Sequence, residues 1–205
     1  MTPARTPERT QRERSDATTT ALVDAARELF ARDGYETTLL DDVARAAGVT
    51  KGALYHHFGG KRELFRAVFE AEERRLMRMT AHASAAPRDP WKGFYEGCRA
   101  YLEAVLDPGV QRITLIDAPA VLGTEAVRQI EEQYAMSLVR NGLQIAIDAG
   151  IIAKRPVDPL ASMLNGAICE GAMLIARSDD QTAATKQVLG EVNTLLDSLR
   201  IDRKR

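Results

Sequence analysis

Apolar residues recur at helical spacing along most of the chain, and no stretch of useful length alternates with the period of a strand. Residues 1–14 are polar, contain Pro3 and Pro7 and lack periodic apolar positions, so a flexible arm is expected there. From Ser15 or Asp16, which can cap, a helix is predicted to about Arg32, with Leu22, Ala26, Leu29 and Phe30 along one face and Gly34 closing it. The run Thr38-Leu39-Leu40-Asp41 has the spacing in which a hydroxyl and a carboxylate satisfy orphan amides reciprocally, which starts a second helix near Thr38 and ends it at Ala47. Gly48 and Val49 make a tight turn, Thr50 supplies the next N-cap, and Lys51 to about Phe58 forms a helix of roughly two turns. Gly59-Gly60 breaks it. From Lys61 to about Thr80 a long amphipathic helix follows, with Leu64, Phe65, Val68, Phe69 and Leu76 on its apolar side.

Residues 81–90 read as a connector, and Asp89-Pro90 as a cap followed by proline in the first turn of a helix. Further helices are predicted at 90–106, 108–117, 124–149 (closed by Gly150), 159–177 and 181–200. The expectation is an all-α fold of about nine helices: an arm at 1–14, a three-helix module at 15–62, and a second module at 63–205 that includes the long linking helix.

Composition adjusts this picture in three ways. The 45% apolar and 28% charged content suits a globular helical protein. The first twenty residues lack the apolar core of a secretory signal, and the apolar stretch at 167–176 is interrupted by Glu170 and followed by Arg177, so a cytoplasmic protein with no membrane span is expected. Cys98 and Cys169 lack metal-ligand or redox spacing and read as structural thiols. His56 and His57 are adjacent, hence on different helical faces, and His82 is remote, so neither metal nor cofactor is expected.

A net charge of −1 argues against coating nucleic acid by bulk electrostatics, so any such binding must be local. Between Val49 and Arg62 the chain carries Lys51, Lys61 and Arg62 with no acidic residue, and this basic stretch coincides with the helix-turn-helix. Leu40, Val43, Ala44, Ala47, Val49, Leu54 and Phe58 can make the shared core, leaving Lys51, Gly52, Ala53, Tyr55 and His56 to face outward. Small Gly52 and Ala53 would let the helix approach the groove floor, where Ala53 could meet a thymine methyl and Lys51 a guanine. Tyr55, His56 and Lys61, with Thr37, Thr38 and Thr50 at helix starts, suit phosphate oxygens of double-stranded DNA.

The ordered string Phe30-Ala31-Arg32-Asp33-Gly34-Tyr35-Glu36-Thr37-Thr38, then Asp42-Val43-Ala44-Arg45-Ala46-Ala47-Gly48-Val49 and Thr50-Lys51-Gly52-Ala53-Leu54-Tyr55-His56-His57-Phe58, closely resembles TetR/AcrR-family transcriptional regulators. The resemblance spans about 55 residues. It implies a homodimer, binding of operator DNA by the third helix, and repression relieved by a small-molecule effector. Leu39 departs from the pattern, standing where many members have a serine or threonine; Thr37 or Thr38 would then have to make that phosphate contact.

The second module has the material for an apolar chamber with a few polar groups: Trp91, Phe94, Tyr95, Cys98, Tyr101, Ile113, Asp117, Tyr134, Leu138, Asn165, Cys169 and Met173. Ordinary cores use the same residue types. Asp117 and Glu170 lie in apolar surroundings and could form a perturbed acid pair, but buried carboxylates serving packing or ligand polarity are the favoured reading, with Asp117 orienting the polar end of a ligand. Ala161, Gly166, Ala167, Gly171 and Ala172 would permit close approach of the last two helices to a second copy. Two rival readings stand beside this one. A nucleoid or division factor would bind DNA without an effector; a small helical enzyme or lipid carrier would need a catalytic motif, and no nucleophile elbow, phosphate loop or metalloprotease helix is present.

Overall fold

The computed structural model of the chain describes residues 11–201. Ten helices follow one another: α1 (Gln11–Asp33), α2 (Leu40–Ala46), α3 (Lys51–His57), α4 (Lys61–Ala85), α5 (Pro90–Ala104), α6 (108–122), α7 (Thr124–Gln133), α8 (Ala135–Asp148), α9 (Val157–Arg177) and α10 (Gln181–Ser198). Among the described residues the only sheet-like pairing is an isolated antiparallel bridge between Ile152 and Arg200. The chain divides into two compact units, Met1–Val68 and Phe69–Arg205, with the boundary inside α4.

In the first unit α1 is described from Gln11, so residues 11–14 of the expected arm are helical; residues 1–10 lie outside the described part. Gln11, Arg12, Glu13 and Arg14 are good helix formers beyond the reach of Pro7, which accounts for the longer helix. Leu22, Ala26 and Phe30 of α1, Val43 and Ala44 of α2, Leu54 of α3, and Leu64, Phe65 and Val68 of α4 form the core. Phe30, Tyr35 and Phe65 pack as a ring cluster, with the two edge-on pairs at 5.2 Å.

The capping box expected at Thr38 does not form. Instead α2 starts at Leu40 with Leu39 as an N-cap that makes no side-chain bond, and the Thr38 hydroxyl donates to the Gly34 carbonyl at 2.8 Å. At the other end of α2 the turn is closed by Gly48 N–H to Arg45 O (3.1 Å) and Val49 N–H to Ala44 O (2.9 Å), the paired bonds of a Schellman motif. This motif puts Gly48 at φ +68°, with open space around it, so the backbone angle alone demands glycine there.

The second unit departs from the sequence expectation in several places: α4 continues to Ala85 through residues expected as a connector, and α6 continues to 122 rather than ending at 117. Residues 111–117 are π-helical within α6, a widened turn that accommodates Pro119, whose ring would collide with the Leu115 carbonyl of an α-helix. The single helix expected at 124–149 is broken at Tyr134 (φ −112°, ψ −77°), giving ten helices rather than nine. Neither glycine nor proline marks that break.

The unit's core draws on α5, α8, α9 and α10, through residues such as Leu102, Leu143, Ile175 and Val192. Ala161 and Ala172 are fully buried in it, and a Cβ on Gly171 would meet Val188 at 2.7 Å. These three small residues therefore serve packing within the chain, not approach of a second copy. Gly166 alone among the glycines of α9 faces open space. Helix α9 is long and apolar enough to cross a membrane by length and composition, yet little of it is covered: Met163 is 73% exposed and Leu174 52%.

Candidate functional site: a helix-turn-helix surface and an acidic cavity

In the first unit α3 is anchored by Leu54, which is fully buried, so the opposite face of this short helix is directed outward. The Thr50 hydroxyl accepts from Ala53 N–H at 3.1 Å, fixing the N-terminus as expected of an N-cap. Lys51, Gly52, Tyr55 and His56 are exposed, and Ala53 is half-buried beside them. His57 turns inward instead, its Nδ1 lying 3.1 Å from the Thr19 hydroxyl of α1.

Two of the expected basic contacts already have partners. Lys51 pairs with Asp41 of α2 at 2.8 Å, between two exposed side chains. Lys61 donates to the Glu36 carbonyl at 2.9 Å and lies over the Tyr35 ring at 4.4 Å. Thr37 is exposed and its hydroxyl donates to the Asp33 carbonyl. Thr38 is corrected outright: only 3% exposed and bonded to Gly34, it supports the loop and presents nothing to a phosphate. Leu39, 61% exposed, occupies the surface in front of α2 where a hydroxyl was missing.

The second unit contains a cavity of about 90 Å³ lined from five helices. Six of the expected residues line it: Phe94, Cys98, Tyr101, Leu138, Asn165 and Cys169. The other six do not. Trp91 is buried behind Phe94, stacked on it at 5.6 Å, and Ile113 is fully buried in the π-helical stretch. Tyr95, Met173 and Asp117 are partly buried without lining the cavity, and Tyr134 accepts a 3.4 Å bond from Arg74 outside it. Glu170 is not a buried carboxylate and cannot pair with Asp117 as a perturbed acid, since it is exposed and 3.8 Å from Arg177.

The acids that do reach the cavity are Glu73 of α4 and Glu131 of α7, and neither was foreseen. Glu73 is 7% exposed and makes no hydrogen bond or ion pair with any described residue. Burial, reinforced by Glu131 and Glu72, pushes its carboxyl up to about 8. Burial also raises Glu131. The Tyr101 hydroxyl donates to Cys169, and desolvation pushes both cysteine thiols up to about 12, so they are inert as nucleophiles. From α4, Leu76, Met77, Thr80 and Ser84 complete the wall. Their spacing with Phe69 and Glu73 places a carboxylate on an apolar helical stripe, which is the signal in the sequence that could have found it.

Residues 22–68 match the bacterial regulatory proteins of the tetR family, and residues 91–199 match the tetracyclin repressor-like C-terminal domain. Among solved structures, a TetR-family transcriptional regulator from Pectobacterium atrosepticum is 35% identical, with a TM-score of 0.81 over 96% of this chain and 100% of its own. The uncharacterized HTH-type transcriptional regulator YhgD of Bacillus subtilis is 30% identical over 144 residues, 67% of this chain and 72% of that one. The transposon Tn10 TetC protein of Escherichia coli is 27% identical over 158 residues, 76% and 79% of the two chains.

Proposed function

Since the chain belongs to the TetR family of helix-turn-helix transcriptional regulators, we propose that it is a cytoplasmic repressor, without catalytic activity, that binds a palindromic operator as a homodimer and is released by a small apolar or amphipathic molecule. The observation that carries the DNA side is the exposure of Lys51, Gly52, Tyr55 and His56 on a helix pinned by buried Leu54. In this reading Lys51 exchanges Asp41 for a guanine or phosphate, and Ala53 meets a base edge. Tyr55, His56, Lys61, Thr37 and the Thr50 end of α3 grip the backbone. Lys61 keeps ammonium hydrogens for a phosphate beyond the one given to Glu36.

The uncovered apolar face of α9, with Met163, Gly166 and Leu174, and Leu195 on α10, supports pairing with a second copy. The cavity supports an effector over the alternative of a DNA-binding nucleoid factor without one, because a structural core has no use for an unpartnered buried carboxyl. Helix α4 runs from first-unit core residues to cavity residues over 25 positions, roughly 38 Å, and is the proposed lever.

The test is a fluorescence-anisotropy titration of the inverted repeat upstream of the gene against a scrambled duplex, at two salt concentrations. A specific affinity at least about a hundredfold tighter, falling steeply with salt, is expected. Equal affinity for the two duplexes overturns the reading.

A further inference from the structure

We propose that the cavity takes an organic cation with an apolar body, a substituted ammonium or amidinium facing Glu73 and Glu131 and carried on a ring or short chain that lies against Phe94, Leu138 and Ile168. The inference rests on the reading of this cavity as the effector site.

Its basis is a mismatch between the charges the cavity holds and the charges that could neutralise them. Two of the sixteen lining residues are carboxylic acids and none is lysine, arginine or histidine. The arginines beside Glu73 in sequence are engaged elsewhere, Arg74 with Tyr134 and Arg75 with Glu72 at 2.8 and 2.5 Å. Glu73 is therefore a buried acid with no hydrogen-bond or ion-pair partner among the described residues, in a mostly apolar chamber where, apart from Glu131, the other polar groups (Thr80, Ser84, Tyr101 and Asn165) are neutral. An ionised carboxylate in such a place is costly unless paired, and a cation brought in by the ligand would be that pair. A neutral ligand could hydrogen-bond the protonated acid or Asn165 but would not compensate an ionised carboxylate, and an anion would be repelled by either acid in its ionised form. The rings of Phe94 and Tyr101 add electron-rich faces suited to a cation.

The empty cavity meets the same cost differently, by holding a proton on Glu73. The titratable or charged groups facing that carboxyl are Glu72 on α4, Tyr101 and Cys98 on α5, Glu131 on α7 and Cys169 on α9. None of them supplies positive charge. Binding of a cation thus ionises Glu73, and its proton leaves to the buffer.

Calorimetry on the full-length protein with two probes of matched shape tests this: benzyltrimethylammonium, and neopentylbenzene, in which carbon replaces the nitrogen. At pH 7, run in two buffers of different ionisation heat, the cation is expected to bind at least tenfold tighter and to release about one proton. Glu73→Gln, whose amide copies the shape of the protonated acid, is expected to cut the preference for the cation at least tenfold and abolish the proton release. A thermal melt confirms that the variant is folded. Equal binding of the two probes, binding of neither, or a cation preference unchanged in Glu73→Gln overturns the proposal. Operator release is scored separately. If the cation binds as expected and leaves operator affinity unchanged, the reading of an effector-released repressor falls and the chemistry of the cavity stands.

Discussion

The first unit carries its chemistry on the outside and the second carries it within. On α3 the polar and small residues face solvent around one buried leucine, so every functional candidate is free of the core. In the second unit Glu73, Glu131, Asn165 and Tyr101 converge from four helices on a chamber that a purely structural core would fill with apolar atoms. In the proposed reading the first arrangement meets a large external polyanion by presenting donors, and the second selects a small ligand by leaving an acid unsatisfied. Substitutions of the outward residues should therefore separate stability from binding in the first unit, while those of its buried anchor, and of the cavity acids in the second, should change both.

The largest effect tests the buried anchor of α3. Leu54→Ala should cost about 2–5 kcal/mol in urea denaturation, because fully buried leucine leaves a cavity behind. Operator affinity should fall with it. Unchanged operator affinity would mean that the exposed face does not depend on this anchor.

Next comes Glu73→Gln followed by melting temperature against pH. A carboxyl raised from 4.5 to about 8 in the folded state contributes stability that is complete below the unfolded value and lost as pH rises through the folded one. The wild type should therefore lose ground between pH 5 and pH 9 while the amide variant does not, so the variant melts higher by about 5 °C or more at pH 9. Parallel melting curves across that range would remove the buried acid from the account.

The smallest effect separates two neighbouring threonines. Thr38→Val should cost about 1 kcal/mol by removing the hydroxyl that donates to the Gly34 carbonyl, which keeps only the 3.4 Å bond from the Thr38 N–H, with operator binding and its salt dependence unchanged. Thr37→Ala should leave stability within about 0.5 kcal/mol and weaken operator binding several-fold at an unchanged salt slope, because a neutral phosphate contact is lost. A reversal of the two patterns would restore Thr38 to the DNA surface.

The same contrast explains what the residues disclosed. The recognition surface was legible because local rules specify it: Gly48 sets the turn, Thr50 caps α3, and the helical period decides that Leu54 points in and Tyr55 out. Where those rules failed, a competing local bond had won, as when the Thr38 hydroxyl bonded back to the Gly34 carbonyl four residues earlier rather than capping α2. The cavity was half legible. Aromatic and thiol residues of α5 and α9 announced themselves by type, but which helices meet is not a local property. Nothing in the neighbourhood of Asp117 indicates that it lies away from the chamber while Glu73, on the linking helix, lines it. The break at Tyr134, which separates α7 from α8, has no marker residue at all.

The central claim is that the outer and inner sites are coupled, and one thermodynamic cycle tests it. Benzyltrimethylammonium is titrated into the protein alone and into the protein saturated with its operator, and operator affinity is measured with and without saturating cation. Coupling requires that each ligand weaken the other by the same factor, expected at about 5- to 150-fold for a family of switching equilibria of this kind. A cation that binds equally well to free and operator-bound protein, leaving operator affinity untouched, would contradict the account.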